Sequence, residues 1–413
     1  MIKCAMVTIG DELLYGHIDD TNATWLSQEL TKSGVIVSAR ITVGDGISDI
    51  QGALEVAFNN AEVVILTGGL GPTQDDKTRE AIAEFCKRPL AREEGLASML
   101  EKHFAPRGPG VIALNEKLAW VCEGSEILPN AKGTAVGTWV DEERGAIISL
   151  PGVPYEMKII MEEEVLPRIC SRYDVEPLFI QWIMTAGQGE SSLSVALETI
   201  ERNMPKGVAL AYLPSLQGVR LRLTSSKELE KESKKIARAI EVCLGHLVYA
   251  KENTTLSHVV HNMLIEYRTK IAFAESCTGG NIMATLVKHP GSSQYLLGGH
   301  VVYSNDWKHQ EIDVAKGLLA SCGAVSEEVA RSMAEGAMAN AGADMALAVT
   351  GIAGPGGGGP TKPVGTVHIA LCYNETTYHK KFRLHTDRAV NIALTTTLAL
   401  NMIRLALQGS LEA

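Results

Sequence analysis

The sequence predicts an α/β protein in which two long segments of alternating strands and helices flank a small α+β module. Three observations carry this. Residues 1–170 alternate short apolar strands with amphipathic helices, residues 171–252 run β-α-β-β-α-β, and the α/β rhythm returns over residues 253–413. A chain of 413 residues is longer than one ordinary domain, so the three segments are expected as three domains.

In the first segment KCAMVTI reads as a short apolar strand. TNATWLSQELTKSG reads as a helix with Thr21 as N-cap, Leu26 and Leu30 one turn apart, and Gly34 as its stop. VIVSARITV is a second strand and ISDIQGALEVAF a second helix. AEVVILT is a third strand that passes through GGLGPTQDD into the helix TREAIAEFCKR. AIISL leads through PGVP into the helix that opens with YEMKIIMEEEV. This alternation predicts a mostly parallel sheet with helices on both faces and ligands at the C-terminal ends of its strands.

In the second segment EPLFIQWIMTA is a strand and SSLSVALETIERN a helix. VALAYLPS and VRLRLTSS form a hairpin around LQG, KELEKESKKIARAIEVCLG is a second helix, and HLVYA closes the unit. The order is that of a split βαβ module. The third segment runs from helix TTLSHVVHNMLIEYR through strand KIAFA, the turn AESCTGG, a helix to Lys288 and strand GGHVVYS. Helix VSEEVARSMAEGAMANAG, strand DMALAVT, a glycine-rich loop, strands GTVHIALCY and TTYHKKFRL, and the long apolar helix RAVNIALTTTLALNMIRLAL complete it.

Composition narrows the functional classes. The formal net charge is −10 and no basic run tracks a phosphate backbone, so nucleic acid is not an expected partner. No apolar run reaches the ~18–20 residues that span a bilayer, so no membrane partner is expected. MIKCAMVTIGDELL lacks the basic and apolar regions of a secretory leader and reads as a first strand. Eight scattered cysteines form no CxxC pair, which argues against a zinc or redox motif and for a reduced cytoplasmic setting. His258 and His261 share a helix face, yet with no acidic or thiol ligand beside them they give little ground for a metal.

Two constellations carry chemistry. GGLGPTQDD follows a strand and opens a helix, so Gly68, Gly69 and Gly71 would let backbone amides approach a phosphate. It has neither the GK[ST] of a Walker loop nor the Rossmann spacing. Acid surrounds it: Asp75 and Asp76 in the loop, Asp11 and Glu12 after the first strand, and Asp45 after the second. Carboxylates at neighbouring strand ends can hold a hard divalent cation beside phosphate oxygens. The alternative is that Asp75 and Asp76 cap the next helix and Asp45 makes a turn.

The second constellation is AESCTGG with VVYSNDWK. Ser276 falls at a strand-to-helix turn, where its hydroxyl is exposed and the amides of Thr278, Gly279 and Gly280 are expected to face an incoming oxyanion. No GxSxG elbow and no histidine point to a Ser-His-Asp triad. Lys308, desolvated, would take the serine proton, with Tyr303 relaying it or bonding the leaving amine. A capping turn, a strand tyrosine and a surface lysine are the competing explanation. Cys277 is the rival nucleophile, with no evident base beside it; packing is its alternative role. The loop Gly351–Gly365, including Gly351 and Gly354, suits close backbone contact with a ribose or phosphate, or else a flexible connector. Lys362 adds a charge there, and Arg388 at the start of the last helix reaches a substrate phosphate or else solvent.

GDELLYGHIDDTN, VGD, TGGLGPTQDD and LPGVPYEM together resemble the N-terminal domain of the competence/damage-inducible CinA family, which is similar to the molybdopterin-binding fold. That resemblance implies a three-layer domain with a nucleotide-like ligand at Gly68–Gly71. It also implies a divalent metal, of unspecified identity, near Asp11, Glu12, Asp45, Asp75 and Asp76. Some family members hydrolyse ADP-ribose there with a divalent metal, and others have lost the activity. AESCTGG, GGHVVYSNDWK, GAVSEEVARSMAEGA and TGIAGPGG…KPVGTV resemble the C-terminal CinA domain, a nicotinamide mononucleotide deamidase. Carried over, the family's serine is Ser276, its tyrosine Tyr303 and its lysine Lys308. The implied reaction yields nicotinate mononucleotide and ammonia and calls for no cofactor. A cytoplasmic homodimer acting on nicotinamide mononucleotide and ADP-ribose in pyridine nucleotide recycling is the resulting expectation. The competing one is a non-catalytic nucleotide- or pterin-binding scaffold in a competence or DNA-damage response.

Overall fold

The computed structural model describes residues 2–411 and divides into two compact units, the first ending at Phe179 and the second beginning at Ile180. The first unit holds strands β1 (Lys3–Ile9), β2 (Ile36–Val43), β3 (Val63–Thr67), β4 (Leu90–Arg92), β5 (Trp120–Cys122), β6 (Glu126–Leu128), β7 (Gly137–Glu142) and β8 (Gly145–Leu150). Its main sheet runs β2-β1-β3-β8-β7-β6, and β4 pairs with β5 apart from it. The pairs β1–β2, β1–β3 and β3–β8 are parallel, whereas β8–β7 and β7–β6 are antiparallel. The sheet is therefore mixed. β4–β7 lie in a stretch where the sequence gives no clean strand–helix alternation.

β1 and β3 are almost wholly buried because helices cover both faces. Leu26 and Leu30 of the helix Thr21–Lys32 pack with Met6, Ile65 and Ile148 on one face. Ile50, Leu54 and Ile82 pack with Val7, Val64 and Leu66 on the other. That is the three-layer arrangement expected. One cap differs: Asp20, not Thr21, caps the first of these helices, its carboxylate accepting from Ala23 N at 2.8 Å. Asp is at least as good an N-cap as Thr, and the chain takes it one residue earlier.

The second unit takes all but the first residue of β9 (Phe179–Thr185), with β10 (Val208–Ser215), β11 (Gly218–Ser225) and β12 (Val248–Ala250), a sheet in the order β10-β11-β9-β12. The hairpin β10–β11 turns at Leu216 and Gln217 in the register Ser215↔Gly218. Helices Glu190–Arg202 and Glu230–Leu244 pack their apolar faces on this sheet around Leu197, Leu221 and Ile240.

The remaining strands are β13 (Ile271–Glu275), β14 (Leu296–Val301), β15 (Met345–Gly351), β16 (Thr366–Tyr373) and β17 (Thr376–Arg383), ordered β14-β13-β15-β16-β17. β13 is parallel to β14 and β15, and β16 and β17 add antiparallel strands. By length and composition the helix Arg388–Leu407 does suffice to cross a membrane, contrary to the expectation from apolar runs. Here Ala399, Leu400, Met402 and Ile403 bury it in the core against β13, β15 and β16. Arg404 on the same helix is wholly buried and donates to His246 O at 2.7 Å and to Asn401 Oδ1. His289 joins His258 and His261, but His261 Nδ1 pairs with the Tyr295 hydroxyl and His289 Nε2 with Ser257 Oγ.

Candidate active site

β13 is buried along its whole length between two parallel neighbours, and its C-terminal end fixes the candidate nucleophile. Ser276 N donates to Val349 O at 3.0 Å and Val302 N donates to Glu275 O at 2.9 Å, so the ladders to β15 and β14 continue to the turn. Gly279 (φ +61°) and Gly280 (φ +95°) then bend the chain into the helix Asn281–Val287, a left-handed path that glycine takes without steric cost. From the other side the helix Asn305–Ile312, capped by Ser304, carries Lys308 beneath the turn.

Lys308 is 1% exposed, and its Nζ lies 3.1 Å from Ser276 Oγ, 2.7 Å from Val302 O and 3.4 Å from Tyr303 O. Burial pulls its pKa below the ordinary lysine value, opposed only by the neighbouring Cys277. Three acceptors surround Nζ: an ammonium would donate to all three, whereas a neutral amine donating to the two carbonyls would keep its lone pair for the serine O–H.

Ser276, Tyr303 and Lys308 line one cavity of about 250 Å³ with Cys277, Gly351, Gly354 and Arg388. The structure therefore brings Ser276, Tyr303 and Lys308 together, and it departs from the sequence expectation at four points. The Gly279 and Gly280 amides do not face the cavity: Gly279 N donates to Ser276 O and Gly280 N to Glu275 Oε2. Thr278 does not line the cavity either; it is buried, and its hydroxyl has no partner among the described residues. The Tyr303 hydroxyl accepts from Arg388 Nη2 at 2.8 Å, and it is the Tyr303 carbonyl that meets Lys308. Lys362 is also diverted, donating to Cys322 O at 2.7 Å.

Cys277 is buried and its thiol is pushed up to about 12, first by desolvation, so it is not poised as a thiolate. A Cβ on Gly351 would sit 3.1 Å from its sulfur and 2.9 Å from Thr366 O, so the loop must pass here as glycine. Thr350, which the sequence reading missed, closes the cavity floor and donates to Ala324 O at 2.8 Å. Its signal was the last position of DMALAVT, where a polar residue ends a buried strand.

In the first unit the glycine loop is fastened to the protein rather than left open. Gly68 N donates to Leu150 O, and Gly71 N donates to Asp76 Oδ1 at 2.7 Å. Arg79, buried and unremarked in the sequence, donates to Leu70 O at 2.7 Å and Gly71 O at 2.9 Å. Asp76 also accepts from Thr73 N and Thr73 Oγ1, so it braces the loop rather than the helix. Gly68 lines a small cavity with Glu12, Asp19, Asp20 and Asn22; Gly69 and Gly71 do not.

Asp45 accepts from Asp11 N at 3.2 Å. Its pKa is raised by desolvation and then by the charges of Asp11, Glu12 and Asp75. These four carboxylates share a neighbourhood of the oxygen chemistry a hard cation takes. Among the described residues, however, no three His, Cys, Asp or Glu side chains are placed to hold a metal ion. The expected set Asp11, Glu12, Asp45, Asp75 and Asp76 is not assembled, because Asp75 is exposed and Asp76 is spent on the loop.

Three family models match the chain in order: a probable molybdopterin binding domain over residues 5–170, a damage-inducible protein CinA KH domain over 181–250, and a CinA C-terminal domain over 253–407. A putative competence-damage inducible protein of Caldicellulosiruptor bescii is 37% identical over 403 residues, covering 97% of this chain and 98% of that one. A CinA-like protein of Chlorobaculum tepidum is 40% identical over 380 residues, covering 90% and 89%. The crystal structure of a competence/damage inducible protein from Agrobacterium tumefaciens covers 37% of this chain and 93% of its own at 38% identity, with a TM-score of 0.36.

Proposed function

Because the chain belongs to the CinA family, we propose that its C-terminal segment hydrolyses the carboxamide of nicotinamide mononucleotide to nicotinate mononucleotide and ammonia. The observation that carries this is the 3.1 Å contact between Ser276 Oγ and a buried Lys308 of lowered pKa. The substrate is the one the family resemblance implies.

Neutral Lys308 takes the Ser276 proton as Oγ bonds to the amide carbon, giving a tetrahedral oxyanion. The C–N bond then breaks, and ammonia leaves with the proton that Lys308 gained. Water attacks the resulting ester, Lys308 accepting its proton and returning one to Ser276 Oγ as the acid departs. Arg388 offers the cavity a guanidinium suited to the substrate phosphate. Ammonia release from nicotinamide mononucleotide tests the proposal. Wild type is expected to release it, Ser276→Ala to lose release, and Cys277→Ala to keep it. No release by wild type would favour the non-catalytic scaffold.

For the first unit the reading is a nucleotide-like ligand in the cavity lined by Gly68 and Asn22. Cation-dependent cleavage of ADP-ribose is a second reading. The oxygen-rich neighbourhood of Asp45, whose pKa is raised by desolvation and then by the charges of Asp11, Glu12 and Asp75, favours it. Equilibrium dialysis and cleavage of ADP-ribose, each with and without divalent cation, separate binding from turnover. The second reading expects cation-dependent cleavage that Asp45→Ala loses.

A further inference from the structure

The turn that presents Ser276 is fastened by a residue the reaction above does not use. Glu275 ends β13, is 1% exposed, and reaches the first turn of the helix Asn281–Val287. Its Oε2 accepts from Gly280 N at 2.9 Å and Ile282 N at 3.2 Å, and its Oε1 accepts from Met283 N at 2.9 Å. One carboxylate thus satisfies three of the N–H groups that a helix start leaves without partners.

Strand alternation sets this division of labour. Ile271 and Phe273 face the core shared with Ile282 and Leu286, and Glu275 is next in that series. Ala274 faces the opposite core with Val302 and Ile312, and Ser276 follows it toward the helix that carries Lys308. Glu275 is therefore directed away from the cavity and does not line it. Between its anchor points lie Gly279 and Gly280, both left-handed, and a Cβ on Gly279 would meet nothing within 4 Å. Sterics leave this turn loose. A charged acceptor holding three amides is the stronger kind of fastening, and those three bonds offset the cost of burying it.

We propose that Glu275 is the positioning residue of the serine site: its carboxylate clamps both ends of the 276–280 turn and so keeps Ser276 Oγ on Lys308 Nζ. The proposal rests on the reading of Ser276 as nucleophile. It follows that the helix start is closed to the substrate's anionic groups.

Two variants and two readouts test it. Glu275→Gln keeps the size of the side chain but turns an NH2 toward an N–H donor; Glu275→Asp keeps the charge but shortens the reach. With nicotinamide mononucleotide, Glu275→Gln is expected to lower kcat by roughly 10–100-fold with little change in KM, since displacing a reacting group by about 1 Å has that cost. The second readout does not depend on that substrate. An aryl sulfonyl fluoride labels an activated serine as Oγ–S forms, S–F breaks and fluoride leaves, and mass spectrometry reads the rate at Ser276 per folded molecule. Slower labelling in both variants than in wild type, greater in Glu275→Gln, is the expected result. If Glu275→Gln does not fold, Glu275→Asp decides alone. Labelling at the wild-type rate in a folded variant would overturn the positioning role. Wild type that is labelled without hydrolysing nicotinamide mononucleotide would remove the substrate and leave the positioning role standing. Wild type that is not labelled would remove the nucleophile, and the positioning role with it.

Discussion

Arg388 Nη2 donates to the Tyr303 hydroxyl at 2.8 Å while Nη1 donates to Gly354 O at 3.0 Å, so one guanidinium joins the end of β14, the glycine loop and the last helix at the rim of the cavity. With its hydroxyl held there, Tyr303 is a wall of the site before it is a proton carrier. Tyr303→Phe is expected to lose less than about tenfold in kcat, the scale of one surface hydrogen bond. Arg388→Ala is expected to raise KM for the mononucleotide by about 10–100-fold, the scale of a charge-assisted bond to phosphate. Steady-state kinetics on both variants check this. A Tyr303→Phe loss matching that of Ser276→Ala would restore the proton-relay role.

In the proposed reaction Lys308 acts as a base only when neutral. Because burial lowers its pKa, kcat/KM should rise with pH through a midpoint below the ordinary lysine range. Below the midpoint the ammonium donates to Ser276 instead of accepting from it. A pH–rate profile locates the limb. Lys308→Arg, charged throughout, should lower kcat by at least about 100-fold at every pH.

Cys277 lies beside Ser276 in sequence and cavity, but its thiol is held up near 12 by burial. At neutral pH it should react slowly with iodoacetamide, and Cys277→Ala should keep kcat within about threefold of wild type. Peptide mapping and the ammonia assay report the two outcomes.

His368 Nδ1 lies 3.0 Å from His379 Nε2, and His379 Nδ1 lies 3.2 Å from Glu327 Oε2. Desolvation, then His379 and two lysines, lower the His368 pKa to about 4. The unfolded chain takes up this proton near pH 6.5 and the folded one resists until about 4, so stability is full above 6.5 and falls as pH drops through that window. The loss is at most about 3.5 kcal/mol, from ~1.4 kcal/mol per pH unit. His368→Gln should flatten the difference between urea midpoints measured at pH 7 and pH 5.

The serine site was legible because its parts sit at strand and helix ends, where periodicity breaks: Ser276 closes an apolar strand and Gly351 opens a glycine run after another. For Lys308 a desolvated base and a surface charge were both open, since nothing in VVYSNDWK fixes which helix face meets the turn; the structure buries it. Glu275 and Arg79 escaped notice for one reason. Both act on backbone atoms, which have the same chemistry at every residue and leave no pattern in a sequence. The oxyanion amides and the glycine cradle were misjudged from the same cause, because a free N–H and one already engaged by Glu275 or Asp76 are written with the same letters. Antiparallel β16 and β17 were foreseen as strands, but parallel and antiparallel pairing follows the path of the chain between strands.

The helix Arg388–Leu407 meets the cavity at its first residue and, at Arg404, the His246 carbonyl of the four-stranded module. About 24 Å of continuous helix separates these grips, at 1.5 Å per residue. It works as a rigid rod with a handle at each end. A displacement of the smaller sheet would part Arg404 from the His246 carbonyl or carry the helix, and Arg388 at its start, with it. The rim of the cavity is thereby joined, through one helix, to a module that contributes none of the residues lining it.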